Sequence, residues 1–311
     1  MIEISNLVKN YGDKKAVRGI SFTVNDGEVL GFLGPNGAGK STTMNIITGF
    51  LSSTSGTVKV NGHDILEEPE EAKKCIGYLP ELPPLYLDMT VLEYLNFICD
   101  LKSVPRKGRK EHLAKIISMV KIVDVADRLI GNLSKGYKQR VGIAQALVGD
   151  PDILILDEPT VGLDPNQIIE IRKLIKNLSA TKTIIISSHI LSEVQAVCDR
   201  VVIINKGKVA AIDTITDLSK RLAGSSKLLL SCQGPVKDIV NSLRGIPGVS
   251  DTNVRNSDDQ VHEIEIIVGG NGGADVRRQI FYNMSKGGWP ILEFRSLDPT
   301  LEEIFLSITS A

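Results

Sequence analysis

The chain has 311 residues, 42% of them hydrophobic and 23% charged, and its net charge is -1. That length suits about two domains with a sizeable buried core. The balanced charge excludes a global pull toward nucleic acid or anionic lipid, so no nucleic-acid partner is expected.

The first residues, Met1-Ile2-Glu3-Ile4, lack a basic region followed by an apolar core and read as no signal peptide. The longest apolar runs are a few residues each, far short of the ~20 needed to cross a bilayer. Work at a membrane would therefore need spans from another subunit. Cys75, Cys99, Cys198 and Cys232 are too dispersed for a metal-type pair and read as reduced thiols of a cytosolic protein. The basic cluster from Arg106 to Lys110 has no interleaved aromatics and reads as a solvated loop.

In chain order, residues 2–7, 16–24 and 57–60 alternate apolar with polar, which predicts an antiparallel β-subdomain. Residues 29–33, 153–156, 183–186 and 201–204 are short β-branched runs bounded by Gly, Asp or Ser, the pattern of fully buried strands. Helical spacing occupies residues 42–50, 113–122, 138–148, 167–178 and 191–198. Strands alternating with helices predict an α/β fold with a parallel sheet wrapped by helices. A boundary is expected at Ala223-Gly224-Ser225-Ser226, which gives domains of 1–222 and 227–311. The second domain reads strand 227–232, helix 235–243, strands 249–254 and 261–268, a glycine turn at 269–273, helix 274–285, strand 291–296 and helix 300–307. This βαββαβ order is that of a small ferredoxin-like α+β domain. It holds no cluster of His, Cys or acidic residues, so partner docking or regulation is its expected role.

Gly34-Pro35-Asn36-Gly37-Ala38-Gly39-Lys40-Ser41, followed by Thr42, has the P-loop spacing, set between an apolar strand and a helix. Phosphates need a concave ring of backbone N–H donors, and glycines reach the positive φ that points those donors inward. Lys40 supplies a point charge for the β- and γ-phosphates, Ser41 a hydroxyl for Mg²⁺, and the helix N-terminus a positive dipole end.

Asp157 and Glu158 end the apolar run 153–156. Ligands of open α/β sheets bind at that strand edge. Asp157 would hold Mg²⁺ and Glu158 would polarise the attacking water. The pair is weak evidence alone and strong evidence for an NTPase behind a P-loop. Asn205-Lys206-Gly207-Lys208 resembles a guanine-reading motif, but Lys208 stands where an Asp would be needed, and a turn between two strands is the better reading.

Leu133-Ser134-Lys135-Gly136-Tyr137-Lys138-Gln139-Arg140-Val141 resembles the signature of ATP-binding cassette (ABC) proteins, and residues 1–222 look like that family throughout. Ser134 can equally be a plain helix N-cap. The resemblance implies ATP and Mg²⁺ as cofactors, and a dimer or paired cassette whose Ser134, Lys135 and Gly136 complete the ATP site of the other copy. It also implies a separate transmembrane permease and a place on the cytoplasmic face of the membrane. Further elements fall in family order. Tyr11 resembles the adenine-stacking aromatic, Gly77-Tyr78-Leu79-Pro80-Glu81 the Q-loop, Gly162-Leu163-Asp164-Pro165 the D-loop, and His189 after Ser187-Ser188 the switch histidine. Catalytic roles would fall to Glu158 and His189, metal contacts to Ser41, Glu81 and Asp157, and ATP contacts also to Asp164. Asp164 should in any case cap a helix that begins at Pro165. Glu81 departs from the usual Gln, Lys135 from Gly and Tyr137 from Gln.

These variants resemble the drug-, polysaccharide- and gliding-related export group, whose members often carry an extension like residues 225–311. The ending Leu297-Asp298-Pro299-Thr300-Leu301-Glu302-Glu303-Ile304-Phe305 is also similar. A soluble cassette ATPase acting on ribosomes or DNA is the alternative. Such proteins usually join two cassettes or carry a long insert, and residues 41–133 leave no room for one. A catalytically dead regulatory cassette is a third reading, opposed by the intact Lys40, Asp157, Glu158 and His189.

Overall fold

Alternation of apolar and polar residues builds the first hairpin, β1 (Ile2–Tyr11) and β2 (Lys14–Val24), which turns at Gly12 with φ 57°. Ile2, Ile4 and Leu7 face the core from β1, and Val17, Ile20, Phe22 and Val24 from β2. Then come β3 (Val29–Leu33), α1 (Lys40–Ile47), β4 (Ser55–Val60), β5 (His63–Asp64), α2 (Pro69–Lys74), β6 (Ile76–Leu79), α3 (Val91–Leu101) and α4 (Arg109–Met119). They are followed by α5 (Lys135–Leu147), β7 (Ile153–Asp157), α6 (Pro165–Leu178), β8 (Thr183–Ser187), α7 (Leu191–Val197), β9 (Arg200–Asn205) and β10 (Lys208–Thr214). The computed structural model that carries these elements describes residues 1–188, 190–222, 225–257, 261–269, 273–297 and 301–310. Ala223, Gly224, residues 270–272, Asp298, Pro299 and Thr300, all named in the sequence reading, lie outside the described residues.

The chain divides into two units, Met1–Ile215 with Ser307–Ala311, and Thr216–Leu306. In the first, an antiparallel sheet of order β2-β1-β4-β5 accompanies a six-stranded sheet of order β10-β9-β3-β8-β7-β6. Strands β9, β3, β8, β7 and β6 run parallel, and β10 is antiparallel at the edge. Every residue of β3, β7 and β8 is buried, as their unbroken apolar runs require. Parallel direction brings the C-terminal ends of these three strands to one sheet edge.

The expected parallel sheet and β-subdomain are present, with β3 matching its predicted range. The sequence reading missed α2, α3 and β6. Helix α3 had a readable start signal. Thr90 and Glu93 form a capping box, in which the Thr90 hydroxyl accepts from the Glu93 amide at 3.3 Å and the Glu93 carboxylate accepts from the Thr90 amide at 2.8 Å. Gly77, Tyr78 and Leu79 belong to β6, so only Pro80 and Glu81 of the predicted Q-loop are loop. In the basic cluster, Arg106 and Lys107 are exposed outside any helix, as expected, and the correction concerns the helical Arg109 and Lys110. Arg109 begins α4, with its guanidinium 2.7 Å from Asp100 and donating to the Val104 carbonyl at 2.6 Å. Its side chain is only 13% exposed. A short stem that must close the α3–α4 connection buries this residue, and local composition does not reveal that. The segment Asn205-Lys206-Gly207-Lys208 is a two-residue hairpin turn, with φ 51° at Lys206 and 78° at Gly207. All four cysteines are free thiols.

The second unit holds β11 (Ser225–Cys232), α9 (Val236–Arg244), β12 (Val249–Ser257), β13 (His262–Gly269), α10 (Gly273–Gly287) and β14 (Ile291–Ser296), flanked by α8 (Ile215–Leu222) and α11 (Leu301–Ser310). Its sheet is antiparallel, of order β12-β13-β11-β14. Leu228 and Leu230 of β11 and Ile264 and Ile266 of β13 pack with Ile239 and Leu243 of α9.

The first unit's packing leaves no space at Gly77. A Cβ there would stand 2.2 Å from the Ala146 carbonyl oxygen and 2.7 Å from Leu154. Gly77→Ala is expected to lower unfolding stability by about 1–3 kcal/mol, read by urea denaturation of the full chain. Unchanged stability would show that α5 is free to move off β6.

Candidate functional site

The loop leaving β3 folds as a phosphate cradle. Gly37 and Gly39 take φ 77° and 108°, a region open to glycine. Gly34 and Gly39 are also hemmed in. A Cβ on Gly34 would lie 2.5 Å from the Ile204 carbonyl, and one on Gly39 2.7 Å from that of Ala16. The hairpin turn after β9 braces the loop, since the Gly207 amide donates to the Ala38 carbonyl at 3.0 Å. Pro35, Asn36 and Gly37 are exposed at the tip, with Ser41 exposed and Thr42 half-buried in the first turn of α1. Lys40 folds back, its ammonium donating to the Gly34 carbonyl at 2.6 Å. Burial pushes its pKa down, while Glu158, Asp157 and Glu81 push it back up.

Asp157 ends β7 at 6% exposure. The β7–β8 register sets it directly opposite Ser187, whose hydroxyl donates to the Asp157 carboxylate. Burial raises the Asp157 pKa, the Ser187 hydrogen bond opposes that rise, and nearby Glu81 adds to it. Glu158 follows in the left-handed region at φ 49°, a backbone conformation that costs a non-glycine residue ~1–3 kcal/mol unless its surroundings hold it. Its amide donates to the Ser187 carbonyl at 3.2 Å and to the Ser187 hydroxyl at 3.1 Å. Glu81 is exposed, just beyond β6. Lys40, Asp157, Glu158 and Glu81 therefore share one electrostatic cluster at the end of the parallel sheet. His189 lies outside the described residues.

Tyr11 is 49% exposed at the end of β1, with the Lys9 ammonium 5.3 Å from its ring centroid. Its hairpin abuts the cradle through Ala16 and Gly39. Ser134 caps α5 by accepting from the Tyr137 amide at 3.4 Å. Asp164 caps α6 by accepting from the Gln167 amide at 2.9 Å, with Pro165 as the first helical residue. Gly136 packs on the Gln167 amide, and the Lys135 ammonium occupies the space that a Cβ on Gly162 would need. These two segments thus meet each other. No hydrogen bond or ion pair among the described residues joins Ser134, Lys135 or Gly136 to the loop from Gly34 to Ser41.

The sequence reading gave no role to Ser187 itself, to Gly207, or to Thr160 and Glu193, whose side chains hydrogen-bond each other. A serine ending an apolar strand was the only available sign of the first. The others depend on contacts between distant segments.

A family model described as "ABC transporter" matches residues 17–161. The chain is 35% identical over 312 residues to the linearmycin resistance ATP-binding protein LnrL of Bacillus subtilis (strain 168), covering 99% of this chain and 98% of that protein. It is 38% identical over 223 residues to the bacitracin transport ATP-binding protein BcrA of Bacillus licheniformis, covering 71% and 72%. A solved ATP-binding subunit of an ABC transporter matches with TM-score 0.66 at 30% identity, over 71% of this chain and 93% of that one. A dimeric post-hydrolysis cassette bound to ADP and Pi matches with TM-score 0.63 at 26% identity, over 69% and 99%.

Ser187→Ala would leave the buried Asp157 carboxylate without its hydroxyl donor. The expected loss is about 1.5–3 kcal/mol of unfolding stability, the range for hydrogen bonds to charged groups, measured by urea denaturation.

Proposed function

We propose a mechanism for this chain from one premise: it belongs to the ABC transporter family and is an ATP-binding, ATP-hydrolysing transporter subunit. The observation that carries the mechanism is the cluster of Lys40, Asp157 and Glu158, in which the loop after β3 meets the two carboxylates after β7 at one end of the parallel sheet, with β8 between the two strands.

In this reading the ring of amides from Gly34 to Thr42 and the Lys40 ammonium bind the phosphates, and Tyr11 stacks on the adenine. The ammonium exchanges its carbonyl partner at Gly34 for phosphate oxygens. The Asp157 carboxylate, the Ser41 hydroxyl and the Glu81 carboxylate are hard oxygen donors of the kind Mg²⁺ prefers, and they would hold the ion. When bound, the ion would neutralise phosphate charge. Glu81 adds a negative charge where the family usually has Gln. Glu158 orients and deprotonates the attacking water, and His189 contacts the γ-phosphate.

Ser134, Lys135 and Gly136 complete the site of a second cassette, with Asp164 beside them, so two copies meet head to tail with two-fold symmetry. Their distance in contacts from their own cradle supports this arrangement. ATP closes the pair because only the closed form makes the additional γ-phosphate contacts. The membrane partner is a separate permease, as the names of its relatives as transporter ATP-binding proteins suggest; no helix among the described residues is long and apolar enough to cross a membrane. A groove of about 680 Å³ offers it a docking surface, lined by Phe50, Tyr78, Leu82, Pro84, Lys73 and Lys102. Phe50 and Leu82 are 82% and 83% exposed there. The subunit then works on the cytoplasmic face of the membrane, as part of an exporter. The names of its relatives, one for resistance to linearmycin and one for bacitracin transport, support that direction.

Glu158→Gln is expected to retain ATP binding, cut turnover about 10²–10⁴-fold, and accumulate an ATP-dependent dimer on size exclusion. Turnover equal to the parent would remove Glu158 from the chemistry. Tyr11→Ala is expected to weaken ATP binding by about 1–3 kcal/mol in equilibrium titration, with Tyr11→Phe close to the parent. Equal affinity in all three chains would reject the stacking role.

A further inference from the structure

We infer that Glu193 is a positioning residue for ATP hydrolysis, whose buried carboxylate locks together the loop after Glu158 and the segment before residue 189. The inference rests on the reading of Glu158 as the group that orients water.

Glu193 is the third residue of α7 and only 6% exposed. One of its oxygens, Oε2, accepts from two hydroxyls on separate segments. Thr160, two residues past Glu158, donates to it. Ser188, next to Ser187, donates to it at 3.4 Å. Both donors are buried, at 3% and 0% exposure. The Ser188 oxygen also accepts from the Ile190 amide at 3.0 Å, a hydrogen bond that spans residue 189. The other carboxylate oxygen lies 3.8 Å from the Arg172 guanidinium of α6.

These bonds close a ring. The Glu158 amide donates to Ser187, and Ser187 is bonded to Ser188. Ser188 and Thr160 then meet on Glu193, and Thr160 returns through Pro159 to Glu158. The residue inside the ring with the costly backbone is Glu158, at φ 49°. Such a conformation persists only where surrounding structure over-determines it. A hydrogen-bonded ring that contains the residue itself is a direct means of doing so.

Burying a carboxylate among hydroxyls is expensive, and a neutral side chain of the same size would fill the space at less cost. What the carboxylate adds is acceptor strength toward two donors at once, because hydrogen bonds to charged groups are the stronger ones. The device therefore reads as one kept for geometry at Glu158 more than for stability. Because Thr160 and Ser188 touch neither phosphate nor water in this scheme, the clamp acts on kcat through placement.

The test is steady-state ATPase kinetics of the full chain, with ATP binding measured separately. Glu193→Gln is expected to lower kcat about tenfold to a hundredfold, the usual effect of misplacing a reacting group by an ångström. KM and the ATP dissociation constant should stay within about twofold, as for an interaction made only in the transition state. Thr160→Val, which removes the hydroxyl but keeps the shape, is expected to reproduce the loss, and Thr160→Ser to restore it. The double variant should lose no more than the weaker single variant, since both break one ring. If Glu193→Gln fails to fold, the Thr160 pair carries the test alone. A kcat near the parent value, a loss carried by KM, or Thr160→Ser behaving as Thr160→Val each overturn the clamp. Glu158→Gln is run alongside. If it keeps turnover the underlying reading of the site fails, whereas if it alone loses turnover only the clamp fails.

Discussion

A carboxylate at the end of a fully buried strand has to be satisfied where it stands, and Asp157 is in that position. Removing its charge from water is costly without partners. The answer is geometric. Parallel pairing of β7 with β8 sets Ser187 directly across, and its hydroxyl donates to the carboxylate. Lys40 has the complementary problem of a buried cation, eased by Glu158, Asp157 and Glu81. Each group makes the other tolerable, so the phosphate cradle and the acidic pair are electrostatically one object although they come from different strands.

That object is held by backbone more than by side chains. Gly34 and Gly39 exclude a Cβ because neighbouring carbonyls press on them. The amide of Gly207, in the turn after β9, donates to the Ala38 carbonyl and braces the loop. Glu158 sits in the left-handed region and is tied by its amide to Ser187. A site assembled this way is stiff before any nucleotide arrives, which suits chemistry that depends on placing charge.

The same elements face outward. Tyr78 stands on β6, lines the groove proposed for the permease, and donates weakly to Asn45 of α1 at 3.4 Å. Its hydroxyl pKa is pushed up to about 12 by burial, with Asp157 and Glu81 contributing. Helix α1 begins at Lys40 and β6 leads into Glu81, so one wall of the groove is built from elements that also carry site residues. Packed elements do not deform independently, so α1 and β6 tie the groove to Lys40 and Glu81.

Much of this was legible in the residues alone. The P-loop spacing, the apolar runs of β3, β7 and β8, the acidic pair and the two helix caps at Ser134 and Asp164 are local patterns, and local physics fixes them. Helix α3 was legible too, through Thr90 and Glu93, but its apolar face was overlooked beside a proline-rich loop. The burial of Arg109, the brace from Gly207, the pairing of Ser187 with Asp157, and the ring through Thr160, Ser188 and Glu193 were decided only by the tertiary structure. Arg109 finds its partners within nine residues along the chain, whereas the other contacts bring together segments far apart in sequence, and register and packing, which no single segment encodes, determine which side chains meet.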